Sequence, residues 1–251
     1  MYRILFSIGG FPVYSYGVLL GIAFLIGILF AIRRALQLGV SPESVVEAAS
    51  LCIIGAVLGS RFAYVLLHLE YYRRYPLHIL SFREGGLTFY GGVLGAILLT
   101  VPYLHLKRYK LAVFFDLFAP PLALGYAVAR IGCFLNGCCY GRISPFSVFP
   151  LGVKFPHLEG FRYPTQIYAI GYSLIILFVL LRIEKSRWFK GELFLDYLVL
   201  YGVARFLIEY LRDEPFAVLG VFTLGQAACL GIILFALVLK GVLRKRVQSS
   251  A

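Results

Sequence analysis

From Ile4 to Ile32 the chain runs for 29 residues without one charged side chain. A helix needs about 20 mostly apolar residues to cross a hydrocarbon layer of about 30 Å, and a run this long has few other places to go. The pattern recurs along the sequence. Ala48 to Leu69 is interrupted only by Arg61, and Gly85 to Leu106 carries no charge. Leu111 to Gly141 holds Asp116 and Arg130, Tyr163 to Leu181 is uncharged, Leu193 to Leu211 holds Asp196, Arg205 and Glu209, and Phe216 to Leu239 is uncharged. These runs predict an all-α membrane protein with seven transmembrane helices, forming a single polytopic membrane domain over residues 1–251. The first run is too long for a cleaved signal peptide, and no small-residue cleavage site precedes Arg33-Arg34. Composition agrees: 61% of the 251 residues are hydrophobic and only 14% charged, against about 25% charged in soluble domains. A cytosolic enzyme, a disordered tail and a disulfide-rich secreted scaffold are excluded.

The chain is nonetheless strongly basic, with a formal net charge of +12. In a soluble protein that would suggest nucleic acid; in a membrane protein, Lys and Arg concentrate in cytoplasmic loops. With the C-terminal tail inside, segments 33–44, 107–110, 182–192 and 240–251 hold 13 Lys and Arg, and the longer outer segments 1–12, 70–84, 139–162 and 212–215 hold 8. The N-terminus is therefore expected outside and the C-terminus cytoplasmic, with an outer loop or head at about 139–163 between spans four and five. Topology and the anionic headgroups of membrane lipids absorb most of the charge, and no nucleic-acid partner is expected.

Three basic residues, Arg61, Arg130 and Arg205, fall inside spans. A charge at the bilayer centre costs about 2.5–3.5 kcal/mol on insertion scales, so such residues pair with one another or face a polar cavity. Glu209 is four residues after Arg205, and Arg212 three after Glu209, at helical pairing distances. Arg61 and Arg130 have no acid within a turn, and Asp116 and Asp196 are candidate partners across helices. A guanidinium fork matches phosphate or carboxylate and stays charged when desolvated. Several in one membrane cavity suit an anionic lipid headgroup, and equally an anion transporter.

Two further clusters stand out. Arg83 to Gly92 is glycine-rich; Gly91 and Gly95 make a GxxxG step that lets helices approach closely, and Gly85-Gly86 would let backbone N–H groups approach a headgroup. Arg130 to Gly141 contains Cys133, Cys138 and Cys139, three of the five cysteines. No second cysteine pair and no nearby histidine completes four ligands, so no metal and no cofactor is expected. These thiols, like Cys52 and Cys229, read as small packing residues. The loop Arg142 to Tyr163 sets Phe146, Phe149, Phe155 and Phe161 among three prolines, fitting a surface-lying, cavity-covering or plainly packed loop.

Arg-Ile-Gly-Cys-Phe-Leu-Asn-Gly-Cys-Cys-Tyr-Gly at 130–141 resembles the GRxGNFxNGExxG signature of bacterial prolipoprotein diacylglyceryl transferases. Tyr14-Ser15-Tyr16-Gly17, Gly59-Ser60-Arg61, Gly85 to Gly92, Tyr163 to Tyr168 and Tyr201 to Arg212 resemble that family's other segments in the same order. The resemblance implies transfer of the diacylglyceryl group of phosphatidylglycerol to the lipobox cysteine thiol of prolipoprotein signal peptides, releasing glycerol phosphate, at a bacterial cytoplasmic (inner) membrane. Such a displacement needs cations at the departing phosphate and a thiolate nucleophile. By family position Arg130 and Arg205 face the phosphate, with Glu209 orienting Arg205. Tyr16 and Asn136 line the headgroup site and Arg61 supports it. Gly91, Gly92, Gly141 and Arg212 complete the implied substrate site.

The chain departs from the family at telling places. Tyr90 stands where a histidine is usual, and a tyrosine phenol, ionising near about pH 10 in general, is a poor base. Cys133 replaces Asn, Cys138 replaces Glu, and Ala169 replaces an acid. The thiol's proton acceptor is thus open between Tyr90, Glu209 and water. A diverged paralogue with another lipid donor or acceptor is the alternative, followed by a non-enzymatic lipid or anion translocator, for which Pro120-Pro121 would be the only helix break.

Overall fold

The computed structural model describes residues 2–81, 85–213, 216–218 and 220–249; Arg83 and Glu84 of the glycine-rich segment lie outside them. The first apolar run does not begin as a helix. Ile4–Ile8 (β1) and Phe11–Tyr14 (β2) pair antiparallel, with Ile8 opposite Phe11. Gly9 and Gly10 between them have φ of 55° and 84°, and a two-residue hairpin turn with both φ positive matches the strand twist. Helix α1 then runs Ser15–Leu38 and includes Arg33 and Arg34. Next come α2 (Pro42–Leu67), α3 (Leu69–Arg74), a 3-10 turn at Pro76–Leu80, and α4 (Phe89–Leu106). Helix α5 (Leu111–Asn136) passes unbroken through Pro120 and Pro121, so the expected break is absent. Short strands β3 (Val153–Lys154) and β4 (Phe161–Arg162) pair in the following loop. Then follow α6 (Thr165–Ile183), α7 (Glu192–Glu209), strands β5 (Phe216–Val218) and β6 (Phe222–Thr223), and α8 (Leu224–Ser249). The last apolar run thus starts as a hairpin, like the first.

Among the described residues, six helices are long and apolar enough to cross a membrane: α1, α2, α4, α5, α6 and α8. The seventh expected span, α7, is an 18-residue helix with four charged residues, and it falls outside that group. Large apolar side chains stand exposed along the six, including Leu29, Phe62, Leu98, Ile175 and Phe235. Helices apolar on their outward faces belong in lipid.

The chain divides into two compact units, Ala31–Phe114 and Met1–Phe30 with Phe115–Ala251. In the first, α2 and α4 meet backbone to backbone. A Cβ added at Gly55 or Gly59 would strike Gly95 or Gly91, and one at Gly91 or Gly95 would strike Gly59 or Gly55. The GxxxG step of α4 therefore has a matching Gly55-x-x-x-Gly59 on α2. Cys52, read as packing, is exposed on α2.

Arg61, buried in this unit, gives Nε to the Ile79 carbonyl (2.9 Å), Nη1 to Gly85 (2.7 Å) and Gly86 (3.2 Å), and Nη2 to His78 (2.5 Å) and Ser81 (3.0 Å). A guanidinium has five N–H donors, and here five carbonyls take them. Asp116 and Asp196, suggested as partners of the span arginines, lie in the other unit and bind elsewhere. Arg61→Ala is expected to destabilise the 76–81 turn by about 3 kcal/mol, since the half-buried carbonyls of His78, Ile79 and Ser81 lose a charged donor. That is roughly 100-fold faster amide exchange there, readable by hydrogen exchange, with the α2 interior unchanged.

In the second unit, Ala119 and Ala123 of α5, Ile176 and Leu180 of α6, and Leu193 of α7 form a buried core. Asp116, 1% exposed, accepts the N–H groups of Gly191 (2.7 Å) and Phe194 (3.0 Å) and pairs with Arg187 at 3.3 Å. It thereby caps the N-terminus of α7, where a negative charge meets the helix dipole. Asp196 pairs with Lys240 at 2.6 Å, which also reaches Glu192 at 3.1 Å.

Candidate active site

The last turn of α5 sets the site's framework. Gly137 follows Asn136 with φ of 72°, its N–H bonding the Phe134 carbonyl and the Cys138 N–H the Cys133 carbonyl, both at 3.1 Å. This is a Schellman cap, which brings the residue three before the cap against the second one after it. Here those residues are Cys133 and Cys138. Cys139 follows in the left-handed region, φ 62°, an uncommon place for a side chain with a Cβ. The start of α6 holds this backbone: Thr165 Oγ1 donates to the Cys139 carbonyl (2.7 Å) and Gln166 Nε2 to the Cys138 carbonyl (2.6 Å). The three sulfurs lie within 4.8 Å of one another. Hydrogen bonds from Cys133 and Cys138, with Arg130 and Arg212 behind them, hold the Cys139 thiol below the ordinary thiol range.

Beside this turn is a small recess lined by Tyr126, Arg130, Cys139, Thr165, Ala169, Tyr172, Arg205, Ile208 and Arg212. Its charged lining is wholly cationic. Arg130 donates Nη2 to the Tyr126 hydroxyl at 2.6 Å, and that oxygen stands 3.0 Å from the Tyr172 hydroxyl. Arg205 is ion-paired with Glu209, one turn on, and Arg212 Nε lies 3.5 Å from the same carboxylate. Glu209 is 4% exposed and takes a 3.0 Å hydrogen bond from the Thr223 hydroxyl. Thr223 and Gln226 form a reciprocal capping box at the head of α8, with both bonds at 3.1 Å. Gly225 leaves room there, since a Cβ would run into the Glu209 carboxylate. Glu209 therefore rests at a positive helix end and fixes two guanidinium groups without neutralising the pocket.

Arg130, Arg205 and Arg212 share the cavity. Tyr16 and Asn136 are not among its lining residues. Tyr16 packs on Gly132, where a Cβ would lie 3.4 Å from the Tyr16 Cα, and Asn136 hydrogen-bonds Cys138. Gly141 donates its N–H to the Tyr163 carbonyl at 2.8 Å, and a Cβ there would collide with the Leu211 carbonyl; its role visible here is close backbone approach. Arg61, Tyr90, Gly91 and Gly92 belong to the other unit, where Gly91 and Gly92 are buried in the α2–α4 contact and Tyr90 is 54% exposed. The 142–163 loop is anchored by Phe155, 2% exposed, against Phe134 and Tyr140, while Phe146 and Phe149 stay exposed.

The helices make this a multi-pass membrane protein, with a recess lined by three guanidinium groups. The chain belongs to the prolipoprotein diacylglyceryl transferase family, whose model matches residues 3–241. It is 31% identical over 255 residues to a phosphatidylglycerol–prolipoprotein diacylglyceryl transferase of Bacillus cytotoxicus, covering 98% of this chain and 94% of that protein. Similarly named proteins of Bacillus cereus and Bacillus mycoides are each 32% identical over 258 residues, with the same coverage.

Proposed function

We propose that the chain transfers the diacylglyceryl group of phosphatidylglycerol to a prolipoprotein cysteine. The sulfur attacks the glycerol carbon, a C–S bond forms, and the C–O bond to phosphate breaks with its electron pair leaving on glycerol phosphate. What carries this reading is the cavity lined by three guanidinium groups in a member of this family. Developing phosphate charge is stabilised by preorganised cations in a water-poor site. Arg130 and Arg205 are the phosphate-facing residues, Glu209 positions Arg205 and Arg212, and Tyr16, Asn136 and Gly141 shape the surrounding substrate site.

In this reading α7 is a seventh span. Its 18 residues rise about 27 Å, and its charges sit near its two ends, Glu192 and Asp196 against Lys240 and Arg205 against Glu209. The N-terminus faces outward, the C-terminus the cytoplasm, and the 139–163 segment forms the outer head at the bacterial inner membrane. The basic bias of the inner loops supports this orientation.

The test is reconstitution in phosphatidylglycerol vesicles with a lipobox peptide. A peptide gaining one diacylglyceryl group in thioether linkage is the expected product. Unmodified peptide, with another phospholipid or thiol accepted instead, would favour a diverged paralogue. Tyr90→His is a second probe: a large rate gain would mark Tyr90 as an impaired base, an unchanged rate as a residue outside proton transfer.

A further inference from the structure

Resting on that reaction, we propose that Cys133, Cys138 and Cys139 form a thiolate site for a zinc-class divalent ion, whose open fourth position binds the acceptor cysteine as its thiolate. The sulfurs are free thiols within 4.8 Å of one another. A tetrahedral thiolate site with bonds of about 2.3 Å sets its sulfurs about 3.8 Å apart, so closing on an ion takes small side-chain rotations. The backbone beneath them is already fixed by the Schellman cap and by Thr165 and Gln166. Cys139 holds its positive φ in that frame, and such a conformation costs of order 1–3 kcal/mol and persists where the surroundings impose it. Gln166 is fully buried and its Oε1 has no hydrogen-bond partner among the described residues. Its amide nitrogen bonds the Cys138 carbonyl at 2.6 Å, so a buried polar atom without a partner sits on the side chain that holds the cluster's backbone.

Among the described residues the cluster has three ligands rather than the four of a structural zinc site, and a catalytic site keeps three protein ligands and an open position. Cys139 belongs both to the thiol cluster and to the wall of the arginine cavity. An ion bound to it would sit a bond length from a side chain that lines the arginine recess. A coordinating thiol is deprotonated outright, which supplies the nucleophile in a chain whose Tyr90 is a poor base. In the step, the acceptor S–H replaces water on the ion and its proton leaves to solvent. The thiolate then forms the C–S bond as the C–O bond breaks, and the thioether, a weaker ligand, departs as water returns. Arg130, Arg205 and Arg212 offset the negative charge of the all-sulfur ligand set as well as that of the phosphate.

The experiment uses the full-length protein, reduced, in phosphatidylglycerol nanodiscs. Stoichiometric zinc is expected after equilibration and desalting, lost in the Cys133→Ser, Cys138→Ser, Cys139→Ser triple variant. In cobalt-loaded protein the tetrahedral visible bands should shift on adding a lipobox peptide with cysteine, and stay still for the same peptide with serine. Stripping zinc from the wild type with a chelator should slow thioether formation about 100-fold or more, as loss of proton removal does, and zinc should restore it. This arm does not depend on whether the triple variant folds. Full-rate product from metal-free wild type, or a disulfide among the three thiols in the active protein, would overturn the ion site alone. No product from zinc-replete wild type, with cobalt bands that ignore both peptides, would overturn the reaction and the ion's role in binding the acceptor together.

Discussion

Arg130→Ala is expected to lower kcat/KM for thioether formation by about 10²–10³-fold, the usual cost of removing one preorganised donor to transition-state charge. Its guanidinium is held by Tyr126 and the Tyr126–Tyr172 hydroxyl pair rather than by a carboxylate among the described residues, so its removal leaves no buried carboxylate behind. Thermal stability should therefore stay near wild type. Arg205→Ala should lose comparable activity for the same reason, but it also leaves Glu209 buried with Arg212 at 3.5 Å and the Thr223 hydroxyl as its remaining partners. Breaking a buried pair on one side costs about 3 kcal/mol, so Tm should fall as well. The combination to measure is kcat/KM with phosphatidylglycerol alongside thermal unfolding for both variants. The double variant should lose less than the product of the single losses, since both act on one phosphate. Arg130→Lys should recover little, because a point charge does not replace a fork. Full activity in Arg130→Ala would show that the phosphate binds elsewhere.

Long runs with few or no charges announced six of the helices, because the bilayer length requirement leaves few alternatives to a span. The ends were less legible for a physical reason. Ile4 to Tyr14 and Phe216 to Thr223 are apolar and fold as hairpins, and hydropathy does not separate strand from helix in a short run; Gly9-Gly10 was the turn signal. Arg205, Glu209 and Arg212 were readable as a group, since helical spacing fixes their neighbours. Arg61 was not, since its acceptors are backbone carbonyls, which every residue has and no sequence pattern marks. Asp116 likewise caps a helix 75 residues further on. The thiol cluster was half legible: Asn136-Gly137 after an apolar run signals a helix cap, and the cap geometry alone joins Cys133 to Cys138. That Cys139 also turns into the arginine cavity depends on Thr165 and Gln166, which are remote in sequence.

Gly59→Val should be the most destructive change in the Ala31–Phe114 unit. In lipid no hydrophobic force drives helices together, so close van der Waals packing between small residues has to hold them. A Cβ at Gly59 would stand 2.7 Å from the Gly95 Cα and 3.0 Å from its nitrogen, and one at Gly55 would stand 2.8 Å from the Gly95 carbonyl carbon. These neighbours are backbone, so relief requires the helices to part. Parting them removes contact along the whole Gly55–Ala63 stripe, and overpacking of this kind costs about 3 kcal/mol or more. Gly92 provides the internal comparison: its Cβ would meet the Ala56 carbonyl at 3.2 Å and the Ser60 Cβ at 3.5 Å, a crowding that small shifts absorb. Gly92→Ala should cost about 1 kcal/mol. Thermal unfolding of both variants in one detergent, with proteolysis reporting on this unit, checks the ordering. Equal losses would show that the glycine stripe is not what holds α2 to α4. The same pair separates packing from tethering: Thr88 at the head of α4 bonds the Ser60 carbonyl at 3.2 Å, next to Arg61. Gly59→Val should therefore free both the helix contact and the 76–81 turn, whereas Arg61→Ala frees the turn alone.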